Sequence, residues 1–449
     1  MEFHAIILCG QGKSLSPLVS SNDLTRPKAL LPVANKPLLS YPLSWCQKAG
    51  FSQISVICLN ASLNVIKNYV DQDFLKANPS SVPINVYGVE NKHTGDFFKV
   101  LAQQIKLDFV ILPCDFITNV EPQSIFDVHR NRDANTIITG LYYKNNIETI
   151  DKKSILADYT VHTPLSKNHP ALLDFYTRQT VNDQKGLHLR KAMLFRHDNA
   201  VVSTNLLSTS IYFCSHKVID ILSDSSNHIP FLERSWSKVV RDVARRSWQH
   251  REPLENVAFS LIPNDSTFIR VSNPSAYLES NRWIMKEKLR TRDPSAPRPQ
   301  KGIATVGPDS IVGDESVLGE KTSVKRSNIG SNCNIGKKCR ITGCVILDNV
   351  TIADDVQLEN CLIGSGAKIG LKSRLTGCTV EGGYSVSKDS QAKNEVFEQL
   401  TMGDIGDDES YGVYDEDDDD SQYSGSEGEE YSEEEDTNDY GDDDLFDRS

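Results

Sequence analysis

From Val306 to Val380 an aliphatic residue returns every five or six positions, at Val306, Val312, Leu318, Val324, Ile329, Ile335, Ile341, Ile346, Ile352, Leu358, Ile363, Ile369, Leu375 and Val380. No α-helix and no simple array of hairpins keeps this beat. A coil of three short strands wound into a triangular prism does, because each side of each turn then supplies one inward aliphatic residue. One coil takes about 17 or 18 residues. Ser327, Cys344, Cys361 and Cys378 support this independently: they are spaced by 17, each lies two places before an aliphatic position, and stacked coils would bring them into one ladder. The region 303–390 is therefore expected to be a left-handed parallel β-helix of hexapeptide repeats.

The first 285 residues follow a different rule. Apolar runs at 3–9, 53–58, 84–88, 108–113 and 135–143 alternate with amphipathic stretches near 38–49, 62–75, 95–105 and 122–131. This is the pattern of an α/β domain with a layered, Rossmann-like mixed sheet. A further helix is expected to open at Pro230, with Phe231, Leu232, Trp236, Val239, Val240 and Val243 facing inward and Arg234, Lys238, Arg241 and Arg245 largely off that face. Residues 145–200 are richer in charge and weaker in pattern and are taken as an insertion. The prolines at 294, 297 and 299 mark 286–302 as a stiff linker, and 391–402 as a short connector to the tail.

That tail, 403–449, holds 22 of the 61 acidic residues and one of the 48 basic ones, Arg448, for a net charge of −21. Residues 1–402 carry 47 basic against 39 acidic side chains, net +8. Acid runs such as Asp415–Asp420 and Glu433–Asp436 cannot bury enough apolar surface to offset chain entropy, so the tail is expected to be disordered. It could attract lysine-rich segments of a partner and raise encounter rates. A solubilising spacer tuned by phosphorylation at Ser424, Ser426 and Ser432 is an equal alternative.

Several classes are excluded. No run approaches the roughly 18 apolar residues of a membrane helix, and Met1–Gly10 lacks a basic segment ahead of its apolar stretch, so a cytosolic address is expected. The ten cysteines contain no C-x-x-C, which argues for reduced thiols and against structural zinc. All ten histidines precede residue 251, so an acyltransferase centre with an imidazole base among the coils is not expected.

The first strand runs into Cys9-Gly10-Gln11-Gly12-Lys13-Ser14. A P-loop would need glycine where Ile7 stands, and a dinucleotide fingerprint would need one at Leu15. The longer string from Ala5 to Leu38, AIILCGQGKSLSPLVSSNDLTRPKALLPVANKPL, resembles the signature loop of sugar-nucleotide pyrophosphorylases, close to L-A-G-G-x-G-T-R-L-x-P-L followed by P-K-x-L-L-P-V and K-P. The resemblance continues at Pro113-Cys114-Asp115, through Val271–Asn281 and into the coils, and it implies a nucleotidyltransferase-like fold.

In that family Asp115 falls at the first metal-binding carboxylate, while Arg270 falls at the second, Cys9 at the first signature glycine and Ser14 at the signature arginine. A guanidinium about 4 Å from a divalent ion would repel it by roughly 8 kcal/mol at an effective dielectric of 20. The resemblance thus implies a vestigial phosphate loop built from Gly10, Gly12, Lys13, Lys28 and Asp115, with no catalytic residue, metal or cofactor.

A degenerate transferase domain followed by hexapeptide coils is similar to the gamma and epsilon subunits of translation initiation factor 2B. Met1-Glu2-Phe3 with Ala5, Leu30–Val33, Asn35–Leu38 and Gly319–Ser331 look most like the gamma branch, and the additional exchange domain of epsilon has only the acidic tail in its place. The resemblance implies pairing with an epsilon subunit, assembly with alpha, beta and delta, and support of GDP-to-GTP exchange on initiation factor 2, with no membrane and no direct nucleic-acid partner. The rivals are an active transferase of the GDP-mannose pyrophosphorylase kind and a regulator that binds a nucleotide sugar without turnover.

Overall fold

The strand Phe3–Leu8 alternates its side chains between two cores: Phe3, Ala5 and Ile7 pack with Trp45, Phe51, Phe116, Phe126 and Phe213 on one side, and Ile6 packs with Phe97, Phe109, Ile111 and Trp236 on the other. A strand buried on both faces needs helices above and below its sheet. The computed structural model, which describes residues 2–19, 26–79, 82–90, 93–147, 155, 157–224, 229, 234–250, 253–291 and 304–399, has this arrangement.

The central sheet has ten strands, in the order Val201–Ser203, Tyr159–His162, Ala171–Tyr176, Asn256–Leu261, Thr136–Tyr143, Leu207–Cys214, Asp108–Pro113, Phe3–Leu8, Gln53–Leu59 and Ile84–Val89. Phe3–Leu8 lies parallel between Gln53–Leu59 and Asp108–Pro113, with Leu8 opposite both Ile57 and Pro113. Leu207–Cys214 runs antiparallel to its neighbours, so the sheet is mixed. All five strands expected from the apolar runs are present.

The supposed insertion is part of this sheet. Tyr159–His162 and Ala171–Tyr176 pair with each other, and the latter pairs with Asn256–Leu261. Their weak apolar pattern has a physical cause in the helix Trp236–Gln249, which Ser235 caps by accepting from the Lys238 amide. Arg245 of this helix grips the fully buried Asp174 at 3.0 Å, and the Arg241 guanidinium lies over the Phe175 ring at 5.6 Å. The expected inward Trp236, Val239, Val240 and Val243 are buried, but so are Lys238 and Arg241, which the pattern had set off that face. Pro230, Phe231 and Leu232, the expected start of the helix, lie outside the described residues.

The helix Pro274–Thr291 runs six residues into the stretch read as linker. The rest of that linker, 292–302, lies outside the described residues, as does the acidic tail 403–449.

From Thr305 to Phe397 the chain forms three parallel sheets of six, six and five strands, one sheet to each side of the prism. Val324, Ile341, Leu358 and Leu375 stand in register at 0–1% exposure. Ser327, Cys344, Cys361 and Cys378 form the expected ladder. The Cys344 amide donates to the Ser327 hydroxyl at 3.0 Å and the Cys361 amide approaches the Cys344 sulfur at 3.4 Å. The coils outrun the expected end at 390: Gln391–Lys393 and Val396–Phe397, placed earlier in the connector, pair with the preceding coil.

The prism packs on the layered domain through Val345, Leu347 and Leu362, which meet Leu15, Val33, Leu38 and Tyr277. Asn35 donates to the Ile329 carbonyl at 2.8 Å, and Arg282 donates to the Gly343 carbonyl at 2.8 Å and to Asn360 Oδ1 at 2.6 Å. Gly343 has φ of 67°, and a Cβ there would stand 2.6 Å from Asn360 Oδ1 and 2.8 Å from the Arg282 guanidinium, so only glycine fits. No helix among the described residues is long and apolar enough to cross a membrane.

Candidate functional site

Ligands of open α/β sheets bind beyond the carboxyl ends of parallel strands, and the loop Cys9–Ser14 leaves Phe3–Leu8 at that end. The Cys9 amide still donates to the Ile57 carbonyl at 2.8 Å, after which the chain departs from the sheet. The loop borders a cleft whose walls include Leu8, Cys9, Gly10, Gln11, Cys58 and His93. Gly10 opens onto space, with no atom within 4 Å of where a Cβ would stand, and the Gln11 Oε1 is buried without a hydrogen-bond partner.

Gly12 does a different job. Its φ is 80°, and a Cβ would come within 2.8 Å of Lys28 Cβ and 2.9 Å of Lys28 Cδ. The bare backbone lets the Lys28 stem lie against the loop, which aims its ammonium at Asp115, 2.5 Å from Oδ2. Lys28 is 8% exposed and Asp115 1%.

The second cation on Asp115 comes from far along the chain. Phe268–Arg270 pairs antiparallel with Phe116–Thr118, Arg270 faces Phe116, and the Val271 amide donates to the Asp115 carbonyl at 2.8 Å. This register sets the guanidinium beside the carboxylate in a two-point contact, with Nε at 2.6 Å from Oδ1 and Nη2 at 3.1 Å from Oδ2. Arg270 Nη1 donates to the Ser210 hydroxyl at 2.6 Å.

Burial alone would push the Asp115 carboxyl up, but Arg270 first and Lys28 second hold it down at about 2. For Arg270, burial opposes the charge and the Asp115 carboxylate more than restores it, so its pKa lies above the ordinary value.

Gly12, Lys28, Asp115 and Arg270 thus come together. Lys13 sits exposed on the turn Lys13–Leu15, and Asp115 takes cations from Lys28 and Arg270. Ser14, at the family's arginine position, turns its hydroxyl to the Ser272 carbonyl at 2.6 Å. Asp265, the nearest acid upstream of Arg270, is exposed on the turn around Pro263–Ser266.

Sequence reasoning missed Ser210. It has φ of 54° and lies where the pairing of Leu207–Cys214 with Thr136–Tyr143 shifts register, and no residue pattern announces that bulge.

The arrangement is a buried carboxylate saturated by two cations. Among the described residues no group of three or more His, Cys, Asp or Glu side chains is placed to hold a metal ion.

Comparison with known proteins gives two matches to family models. Residues 4–149 match the model described as nucleotidyl transferase, and residues 300–392 match the one described as the EIF2B subunit epsilon LbH domain. The translation initiation factor eIF2B subunit gamma of Schizosaccharomyces pombe is 28% identical over 308 residues, covering 64% of this chain and 66% of its own length. The epsilon subunit of Dictyostelium discoideum is 25% identical over 312 residues, covering 62% of this chain and 41% of its own length. The gamma subunit of the same organism is 25% identical over 252 residues, with coverage of 51% and 54%. The chain spans less than two thirds of the length of each of these relatives.

Proposed function

We propose that this chain is a gamma-type, non-catalytic subunit of translation initiation factor 2B that works in the cytosol. On this reading it pairs with an epsilon subunit, joins the alpha, beta and delta subunits, and helps hold initiation factor 2 while GDP is replaced by GTP. The observation that carries the non-catalytic part is the two-point contact of Arg270 with Asp115.

Nucleotidyl transfer needs carboxylates that bind Mg²⁺ between phosphates and cations that face the departing pyrophosphate. Here Arg270 occupies the carboxylate that would bind metal, and Ser14 replaces a charge whose loss commonly costs about a hundredfold in rate. With Lys28 and Arg270 both on Asp115, the donor set does not fit a divalent cation. With its site closed by its own side chains, the layered domain is free to present surfaces to other proteins, as are the outer faces of the prism.

Two assays test this. Affinity capture of the chain from cells, with mass identification of what it retains, should return the other four subunits. Release of pyrophosphate from Mg²⁺, nucleoside triphosphates and sugar 1-phosphates should stay at background, and turnover would overturn the reading. An active sugar-1-phosphate nucleotidyltransferase is the second reading, favoured by the family match over residues 4–149.

The −21 charge of residues 403–449 supports a steering role toward lysine-rich segments of the substrate factor. Deleting the tail is expected to slow association by about tenfold or more at low salt and little at high salt. An unchanged rate constant would leave the solubilising spacer.

A further inference from the structure

Three cysteines stand in one row across neighbouring parallel strands. Leu8 faces both Ile57 and Pro113, so the next residues along, Cys9, Cys58 and Cys114, continue the same register. The ladder bonds confirm the phase: the Cys114 amide donates to the Leu8 carbonyl at 3.1 Å and the Cys9 amide to the Ile57 carbonyl at 2.8 Å. All three side chains belong to one side of the sheet, packed in or against the same core.

Their surroundings differ. Cys58 directs its thiol to the Tyr87 carbonyl, whereas Cys9 and Cys114 stand opposite each other on neighbouring parallel strands. Of the ten free cysteines nine are buried and Cys9 alone is half-exposed, at the wall of the cleft. Cys114, 2% exposed, lies behind it. Residues directly opposite on neighbouring strands sit about 5 Å apart, inside the window of roughly 4.4–6.8 Å between Cα atoms that a disulfide spans.

We propose that Cys9 and Cys114 form a hydroperoxide-responsive dithiol that closes to a disulfide between neighbouring strands at the wall of the cleft. Cys9 is the thiol the oxidant reaches. Its sulfur attacks one peroxide oxygen, the S–O bond forms as the O–O bond breaks, and the alcohol, or water from hydrogen peroxide, leaves with the thiol proton. Cys114 then attacks the Cys9 sulfenic acid, the S–S bond forms as the S–O bond breaks, and water departs with the Cys114 proton. Two thiols and one hydroperoxide thus give one disulfide, one alcohol and one water. The bond ties the loop Cys9–Ser14 to the turn that carries Asp115, so the closed form restrains a segment of the cleft wall that leaves the sheet.

This inference does not rest on membership of the initiation factor and is tested on the full-length chain. The protein is treated with hydrogen peroxide, alkylated, and digested with trypsin without reductant. The expected product joins the peptide 1–13 to the peptide 107–130, with joint loss of alkylation at Cys9 and Cys114 and full recovery after reduction. It should vanish in Cys9→Ser and persist in Cys58→Ser. The proposal is overturned if peptide 1–13 joins 49–67, which carries Cys58, or if Cys9 advances to the sulfinic acid while Cys114 remains alkylated. It is equally overturned if both cysteines stay free under peroxide. Because these assignments are read on the wild-type chain, they decide the matter even where Cys9→Ser does not fold.

Discussion

In the prism each inward aliphatic residue stacks on a counterpart one coil away, whereas the Asp115 cluster of the layered domain is made once, from partners 87 and 155 residues distant in sequence. A coil that loses an aliphatic residue keeps its neighbours above and below. A buried carboxylate that loses a cation has no substitute. The two regions should therefore answer substitution differently: repetition spreads damage, and long-range charge pairing concentrates it.

The largest effect is expected from Arg270→Ala. It strips two hydrogen bonds from a carboxylate that is 1% exposed and leaves the Ser210 hydroxyl without its donor. Removing one member of such a buried pair typically costs about 3–5 kcal/mol, which urea unfolding of the full chain would read. Replacing both members, as Asp115→Leu with Arg270→Leu, should recover much of that loss, because the penalty lies in the uncompensated charge. A double variant less stable than Arg270→Ala would break the account.

The matching test in the prism is Ile346→Ala, in a middle coil where the side chain is fully buried. About 3 kcal/mol is expected from lost burial and the cavity. Val312→Ala, in the first coil and only partly buried, should cost about 1 kcal/mol. Equal costs at the two positions would deny that each coil is supported by its neighbours on both sides.

This contrast also explains what could be read in advance. A coil position tolerates only an inward aliphatic residue, so fourteen positions from Val306 to Val380 spell the architecture without reference to anything outside the segment. The run FHAIIL and its parallel neighbours were legible for the same reason, since burial on both faces leaves a continuous apolar string. Tyr159–His162 and Ala171–Tyr176 were not legible as sheet strands, because part of their support is ionic, from Arg245 to Asp174 across 71 residues, and has no local period. The end of the prism was misjudged where the inward position becomes Ala392, too small to carry the beat. Within the site, Arg270 and Asp115 were placed by family resemblance. Ser210, on a bulge, could be found only in three dimensions.

Acid should separate the regions by pH. Burial holds the histidines His4 and His129 down at about 4 and about 3, so both are neutral in the folded layered domain. Unfolded, they would bind protons below about 6.5, and stability is lost as pH falls from there toward 4. The Asp115 contribution is fully present above about 4, its unfolded pKa, and is lost as pH falls through about 2. It amounts to about 2–3 kcal/mol. All ten histidines precede residue 251 and the prism has none. Circular dichroism should therefore show helix signal failing before the signal of the coils. His129→Phe, which keeps the stacking on Phe213, should flatten the loss between pH 6.5 and 4. An unchanged slope would remove His129 from the explanation.

The smallest effect is expected where the regions meet. Arg282 belongs to the helix Pro274–Thr291, yet two of its three hydrogen bonds go to the prism, to the Gly343 carbonyl and to Asn360 Oδ1; the third goes to Glu279, one turn back on its own helix. Arg282→Ala should cost about 1 kcal/mol, the usual net value of a partly exposed hydrogen bond. The informative quantity is the coupling with Asn360→Ala in a double-mutant cycle. Asn360 has φ of 53° and stands against the bare Cα of Gly343, so the coil is shaped to present this acceptor whether or not Arg282 reaches it. A coupling energy of about 0.5 kcal/mol or more would show that the repeat bears a single, unrepeated contact on which the layered domain depends. Additive losses would mean that the repeat and the cluster are stabilised independently, each by its own kind of order.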